Sequence, residues 1–194
     1  MNKIYFILGL FLFCNINVNA QLGVRAGLNF ASVSAENGGV TLNSDSKLGF
    51  HFGLVNDFKL SDNLTFRPGI LYSVKGSKLT LDIFGVNETI TDEYTYLDVP
   101  LHFVYNFTGE EKGFFAEAGP YLAFLLSAKS QDEDVKDLLK SLDFGLNFGL
   151  GYDLGNFIIG ANYSFGLSNI ADGEDSEDVN VKNKNIAVYG VYQF

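Results

Sequence analysis

The chain has 194 residues, of which 47% are hydrophobic and 15% aromatic, with 21 Gly but only 3 Pro. This composition excludes disordered, collagen-like and low-complexity proteins and predicts one folded domain. The 13 basic and 23 acidic residues give a net charge of −10, so nucleic acid is not an expected partner, because binding to phosphates needs a basic surface. After residue 20, no segment approaches the roughly 18 consecutive apolar residues of a spanning helix. Any membrane span must therefore consist of strands.

The first twenty residues have the pattern of a secretory signal peptide. Residues 1–3 are polar and include Lys3, residues 4–13 are apolar, and residues 18–20 end on a small residue. The alternative, a membrane anchor, needs a longer apolar run, so we expect cleavage before Gln21 and a single domain over 21–194. Phe13 stands where lipoprotein processing at Cys14 needs a small residue. The exported chain would then contain no cysteine, which excludes disulfides and thiolate metal sites.

From residue 22 onward, apolar residues recur at every second position, which is the period of a strand with two different faces. In a soluble sandwich the second face would carry Lys, Glu and Thr, whereas here Gly, Asn and Ser dominate it. Such an inner face, with apolar residues outside, is typical of a narrow closed barrel surrounded by lipid. The strand segments lie near residues 22–31, 48–58, 64–73, 96–107, 114–122, 142–153, 157–167 and 185–194.

The lengths of the connections predict the topology. Short connections alternate with long ones, which gives eight strands and places both termini on the side of the short turns. Outer-membrane barrels have short periplasmic turns, long outer loops and an even strand number. We therefore predict an all-β, eight-stranded antiparallel transmembrane β-barrel in the outer membrane, surrounded by outer-membrane lipid. The short connections are 61–63, 108–112 and 155–156, and the long ones lie near 34–46, 77–91, 128–141 and 169–183.

Four segments resemble those of known proteins. The chain ends on Phe194 with Tyr192 on the same face, an ending that resembles the signal read by the barrel assembly machinery during biogenesis. Residues 96–107 read YLDVPLHFVYNF and residues 114–122 read FFAEAGPYL. With the GVRAGLN start at residue 23, they resemble the PorT-like family of outer-membrane barrels over essentially the whole exported chain. The resemblance implies a cell-envelope barrel, and the founding member is tied to protein secretion, although fold does not determine function.

Alternation places ionisable and amide side chains inside the barrel. Ionised groups in a narrow lumen must be paired or solvated, so we expect a structural plug of salt bridges and hydrogen bonds. The alternative is a polar conduit or a small-ligand site, but the interior of an eight-stranded barrel is just wide enough for its own side chains. The predicted lumen network comprises Arg25, His51, Asp57, Arg67, Asp98, His102, Glu117, Asn147 and Asn162.

Catalysis is the least favoured hypothesis. A hydrolase needs a Ser, a His and an acid close together at the rim. The two histidines, His51 and His102, fall near the middle of predicted strands without a Ser beside them in sequence, although Ser73 and Ser164 can lie anywhere around the barrel. No His pair has the spacing of metal ligands. We therefore expect no catalytic residues, no metal and no cofactor.

Two segments of the long connections are candidate interaction surfaces. Residues 131–142 place four apolar side chains at helical spacing, which predicts a short amphipathic helix over the barrel mouth that either docks a partner or caps the lumen. The last outer loop holds the densest charge run. Its acids could bind Ca²⁺, but the glycine and terminal Glu of an EF-hand are missing, so a solvated loop is favoured. The candidate interaction residues in this loop are Asp172, Glu174, Asp175, Glu177 and Asp178.

These observations together predict a non-enzymatic outer-membrane protein. The leading hypothesis is a structural or accessory envelope component that supports protein secretion or surface interactions through its acidic outer loops, with envelope or secretion proteins as partners. The alternative is a narrow channel or a small-ligand-binding barrel. Outward-facing tyrosines near the strand ends are expected to anchor the barrel at the membrane interfaces, namely Tyr72, Tyr105, Tyr152, Tyr163 and Tyr192.

Overall fold

The computed structural model describes residues 20–83, 86–109, 112–172 and 179–194. The predicted signal peptide lies outside these ranges except for Ala20, at which the first strand begins. The described residues form ten strands and one 3₁₀ turn at Lys136–Leu138. The strands are β1 (Ala20–Asn37), β2 (Val40–Asn43), β3 (Asp45–Lys59), β4 (Leu64–Ile83), β5 (Val86–Asn106), β6 (Gly113–Ser130), β7 (Glu133–Asp134), β8 (Leu142–Asp153), β9 (Phe157–Gly166) and β10 (Val179–Gln193).

Eight of these strands form a closed antiparallel ring in the order β1, β3, β4, β5, β6, β8, β9 and β10. β10 closes the ring on β1, in a register that runs from Gly23 opposite Gln193 to Asn37 opposite Val179. Outside the ring, β2 pairs antiparallel with the end of β1, and β7 pairs antiparallel with the end of β6. The predicted eight-stranded barrel is confirmed. We call the end with the tight connections the turn end and the opposite end the loop end.

The wall has an apolar outer face and an inner face of small and polar residues. Outward side chains such as Leu150 are largely exposed, which suits contact with lipid rather than water. Inward glycines leave space for rings from the neighbouring strand. A Cβ at Gly151 would lie 2.3 Å from the ring of Phe115, and one at Gly27 would lie 2.6 Å from the ring of His51. The glycines of the inner face therefore make room for particular side chains.

Two apolar clusters lie inside the barrel, one towards each end. The inner cluster, towards the turn end, comprises Val55, Leu71, Val104, Phe115, Ile158, Tyr189 and Val191. The outer cluster, towards the loop end, comprises Tyr94, Tyr96, Tyr121, Ala123, Leu125 and Ala128, with Val33, Val135 and Leu139 packed against it. The clusters close the lumen on both sides of its polar middle.

β4 and β5 are the longest strands, with 20 and 21 residues. At about 3.3 Å per residue each is roughly 65 to 70 Å long, whereas the apolar band of an outer-membrane barrel is about 25 Å tall. They pair with each other as far as Ile83 opposite Val86. The long connection predicted near 77–91 is therefore largely a paired hairpin that projects from the loop end, because pairing satisfies backbone groups that an irregular loop leaves to water.

The prediction of an amphipathic helix at residues 131–142 is wrong. Only one 3₁₀ turn forms, because the segment bonds to residues 169–172 instead, with Lys140 N–H donating to the carbonyl of Ile170. Two of its four apolar side chains pack on the outer cluster, while Leu138 remains 62% exposed. This segment, which we call the cap, therefore covers the loop end of the lumen as an extended chain. Within the described ranges, the helical residues include no apolar stretch of membrane-spanning length.

Candidate functional site

The polar layer nearest the turn end contains a buried ion pair. Arg67 donates from Nε and Nη2 to the two carboxylate oxygens of Asp57, both at 2.6 Å. Gln193 donates to Asp57 Oδ2 at 2.7 Å. Both charged side chains are almost fully buried, so removal of either partner would leave an uncompensated charge. The layer joins β3, β4 and β10 across the closure of the barrel.

Arg25, His51 and Asn29 form a hydrogen-bonded chain in the middle of the lumen. Arg25 Nε donates to His51 Nε2 at 3.3 Å. Because Nε2 is the acceptor, the ring proton is on Nδ1, which donates to Asn29 Oδ1 at 3.0 Å. Asn29 Oδ1 also accepts from Asn185, and its amide group donates to Ser73 Oγ and to two backbone carbonyls. Asn29 is thus the residue that connects these polar side chains.

Glu117 is the centre of a second group at the middle of the lumen. Its carboxylate lies 3.3 Å from His102 Nδ1 and accepts a hydrogen bond from Asn162 at 3.1 Å. The other ring nitrogen of His102 lies 2.8 Å from Nδ2 of Asn147. The four side chains come from β5, β6, β8 and β9, so this group ties half of the ring together.

Lys75 and Asp98 form a third pair, towards the loop end. Lys75 Nζ lies 2.7 Å from Asp98 Oδ2. It also lies 5.2 Å from the ring centroid of Tyr96 and 5.4 Å from that of Tyr121, within the range of cation–π attraction. One carboxylate and two aromatic faces therefore replace the water that this buried ammonium group has lost.

Asp143 is the most deeply buried acid of the lumen, with an exposed fraction of 0%. It accepts hydrogen bonds from the Tyr121 hydroxyl at 3.2 Å and from Asn183 Nδ2 at 3.0 Å. The Ser168 hydroxyl donates to its other oxygen. Three donors thus compensate for the hydration that the carboxylate has lost. Because Ser168 directly precedes residues 169–172, to which the cap is hydrogen-bonded, Asp143 also connects the barrel wall to the cap.

The structure places all nine predicted lumen residues inside the barrel. Eight are buried, and the side chain of Asp98 is 13% exposed. They divide among four of the groups described above rather than forming one network. The sequence analysis did not identify further members of the lumen groups. Alternation could have found Lys75, which is the next inward position of β4 after the end of the predicted strand at residue 73. The missed residues are Asn29, Lys75, Tyr121, Asp143, Asn183, Asn185, Tyr189 and Gln193.

The acidic outer loop is only partly described by the structure. Asp172 is exposed, and its backbone N–H donates to the carbonyl of Leu138 in the cap at 2.9 Å. The other candidate interaction residues, Glu174, Asp175, Glu177 and Asp178, lie outside the described residues.

Two cavities inside the described part of the barrel are lined by the lumen groups. The turn end opens into a mouth of about 1010 Å³ lined by charges of both signs, including Lys59, Asp62 and Lys112, with Arg67 among its lining residues. A void of about 30 Å³ lies in the middle, next to Asn29 and the Lys75 pair, which is enough space for water. The inner cluster lies between the two cavities, and the outer cluster lies beyond the void, so neither cavity extends through the lumen.

The charged side chains of the lumen groups are ion-paired or hydrogen-bonded, and the described residues offer no activated nucleophile. Ser73 faces His51 across β3 and β4, but the two ring nitrogens of His51 are bonded to Arg25 and Asn29. In the described part of the chain, no group of three or more His, Cys, Asp and Glu residues is placed to hold a metal ion. The arrangement therefore supports a rigid, filled interior.

No curated protein sequence matches the chain significantly. Among solved structures, Neisserial surface protein A has a TM-score of 0.55 at 16% identity, covering 91% of this chain and 99% of that one. OprG from Pseudomonas aeruginosa has a TM-score of 0.49 at 12% identity, covering 91% and 97%. Ail from Yersinia pestis, in a phospholipid bilayer nanodisc, has a TM-score of 0.48 at 15% identity, covering 91% and 100%.

The match to Neisserial surface protein A supports the fold alone, because its sequence identity is low. A family model described as the outer membrane protein beta-barrel domain matches residues 17–172, which is well over half of the chain. The chain therefore belongs to the outer membrane protein beta-barrel domain family, and its barrel lies in the outer membrane.

Proposed function

We propose that this chain is a non-enzymatic, structural or accessory component of the outer membrane that acts through its loop end after export by a signal peptide at residues 1–20. The filled lumen carries this proposal. Two apolar clusters close the interior, and the buried charges between and beside them are paired or hydrogen-bonded. In a barrel with a filled interior, partners can bind at the loop end. This surface consists of the projecting β4–β5 hairpin and the cap that covers the lumen.

Within the family, we propose a PorT-like protein that supports protein secretion. The two motifs that carry this resemblance lie on adjacent strands, β5 and β6, with Pro100 opposite Tyr121. They supply Asp98, His102 and Glu117 to the lumen groups. The two motifs therefore contribute side chains that fill the lumen. We propose that the residues of the loop end determine which partner binds.

The charge of the loop end favours a basic partner surface. The cap exposes four acidic side chains and two lysines, and the residues from 172 to 178 add five acids. A concentrated negative potential attracts a positively charged partner and speeds its association. We propose that an envelope or secretion protein with a basic docking surface binds here.

Crosslinked affinity purification from native outer membranes tests this proposal. The test variant carries amides in place of the five acids of residues 172–178, and Asp62→Asn at the turn end is the control. We expect stoichiometric envelope or secretion proteins with the wild type and the control, and their loss from the test variant. Recovery of the barrel alone from wild-type membranes would contradict the proposal.

The mouth at the turn end favours a second candidate, a small-ligand-binding barrel that opens to the periplasm. Its lining holds charges of both signs and is continuous with the buried Arg67–Asp57 pair. Thermal unfolding in the presence of amino acids and of organic phosphates tests this candidate. A ligand-dependent rise in the unfolding temperature that Lys112→Gln removes would favour it over the accessory role.

A further inference from the structure

We propose that Lys182 and Lys184, on the lipid-facing side of β10, bind the phosphate groups of an outer-leaflet lipid. Both residues stand at outward positions of β10, in line with Ile186, Val188 and Tyr192 below them. The apolar stripe of this strand thus ends at two cationic side chains.

The height of the two lysines matches the outer boundary of the membrane. Lys184 lies eight residues and Lys182 ten residues before Tyr192, which is exposed on the outer face at the turn end. At about 3.4 Å per residue and a tilt of about 40°, they stand roughly 21 and 26 Å above Tyr192. The apolar band of such barrels is about 25 Å tall, so both ammonium groups reach the level of the lipid headgroups.

The described side chains opposite this pair of lysines in the ladders carry no negative charge. Across the ladders, Lys184 is opposite Ser32 and Phe165, and Lys182 is opposite Ser34. Lys184 Nζ donates to Asn43 Oδ1 at 3.0 Å, a neutral acceptor that holds the ammonium group at the surface. Among the described residues, neither lysine forms an ion pair, and the first acid further along the β1–β10 ladder is Glu36, opposite Asn180.

Two other lysines at the loop end have acidic residues opposite them in the β-ladders. Lys129 is opposite Glu93 and Asp134, and Lys78 is opposite Asp45. In a chain with a net charge of −10, two neighbouring lysines without an acid across the ladder form a local positive patch. Phosphate is the anionic group that lipids present at this depth, and basic residues near an anionic lipid surface each strengthen its binding.

Retention of lipid A by the reconstituted barrel tests the assignment. The wild type, Lys182→Gln/Lys184→Gln and Lys182→Arg/Lys184→Arg are folded into phosphatidylcholine vesicles that contain lipid A with its phosphates. Lys136→Gln/Lys140→Gln in the cap is the control of equal charge. Folding is verified by heat-dependent gel mobility, and lipid A bound per barrel is measured by native mass spectrometry after extraction. A parallel series uses dephosphorylated lipid A, and another uses phosphatidylglycerol.

We expect retention of lipid A to fall about five-fold for each lysine that is neutralised and to be maintained in the arginine variant and in the cap control. Equal retention by the glutamine variant would overturn the assignment, and so would equal retention of dephosphorylated lipid A. Equal retention of phosphatidylglycerol would overturn the commitment to an outer-leaflet lipid. A partner captured at the acidic loop does not depend on these lysines, so the proposed function can fail independently.

Discussion

The ring of Tyr189 fills the space that a side chain at Gly160 would occupy. A Cβ at position 160 would lie 2.5 Å from both Cζ and the hydroxyl oxygen of Tyr189. The guanidinium carbon of Arg25 lies 3.5 Å from the centroid of the same ring. Tyr189 therefore packs against the backbone of β9 and also contacts a cation from β1, which links the closure of the barrel to the polar middle of the lumen.

Gly160→Val should destabilise the barrel by about 1–3 kcal/mol, because the added side chain displaces the Tyr189 ring from a packed interior. Urea unfolding of the barrel in lipid vesicles measures this change. Ala161→Val is the control, since residue 161 is the next position along β9 and faces lipid. Equal stability of the Gly160 and Ala161 variants would contradict the packing of Tyr189 described here.

Arg67→Gln or Asp57→Asn should each destabilise the barrel by about 3–5 kcal/mol, because each leaves the opposite charge buried without its partner. The double variant Asp57→Leu/Arg67→Met should lose less than the sum of the two single changes. For comparison, Glu93→Gln in the Lys47–Glu93 pair, where the Glu93 side chain is 50% exposed, should change stability by less than about 1 kcal/mol. Unfolding free energies that add in the double variant would argue against a coupled pair.

Asp143→Ala should loosen the cap, because three hydrogen-bond donors lose their shared acceptor. Ser168 then keeps its hydrogen bonds with the backbone of Phe144 but loses its bond to the wall through Asp143, which weakens the anchorage of residues 169–172. We expect faster hydrogen exchange of the backbone amides of Lys140 and Asp172, which donate across this junction, with β8 and β9 still protected. Asp137→Ala, at an exposed acid of the cap, should leave the exchange rates unchanged. Unaltered exchange in the Asp143 variant would mean that Asp143 does not support the cap.

His51 should be the neutral tautomer that carries its proton on Nδ1, since Nε2 accepts from Arg25 and Nδ1 donates to Asn29. Nitrogen chemical shifts of labelled histidine in the folded barrel distinguish the two tautomers. Asn29→Ala should remove the acceptor of the Nδ1 proton and shift the resonance of this nitrogen. A proton on Nε2 in the wild type would invalidate the hydrogen-bonded chain from Arg25 to Asn29.

The period of two in the sequence assigns the nine predicted side chains to the lumen, because one slip in register would bring Arg25 or Glu117 to the lipid face. It did not single out other inward residues, such as Lys75 and Asn183. It could not predict how they pair. The contact of Asn183 with Asp143 joins side chains 40 residues apart, and it depends on the shear and closure of the ring, to which alternation is insensitive.

For the cap, the sequence pattern predicts the wrong local structure. Val135, Leu138 and Leu139 have helical spacing, but tertiary contacts outweigh such a short local signal, since the outer cluster and residues 169–172 offer this segment better burial and backbone bonds. The length of β4 and β5 was also not predicted, because residues 77–91 are polar enough to indicate a loop. Their paired ends carry Thr80 opposite Thr89, a combination typical of a solvated strand pair as well as of a loop.

Ion conductance of the folded barrel in a planar lipid bilayer tests the central claim, that the filled lumen is structural and that function resides at the loop end. The protein is inserted after heat-dependent gel mobility has verified folding, and the applied voltage is varied in both directions. We expect no steady current, because the inner and outer clusters and the paired charges occupy the lumen. A reproducible single-channel conductance that Asp57→Asn or Lys75→Gln alters would contradict this claim and would make the barrel a narrow channel.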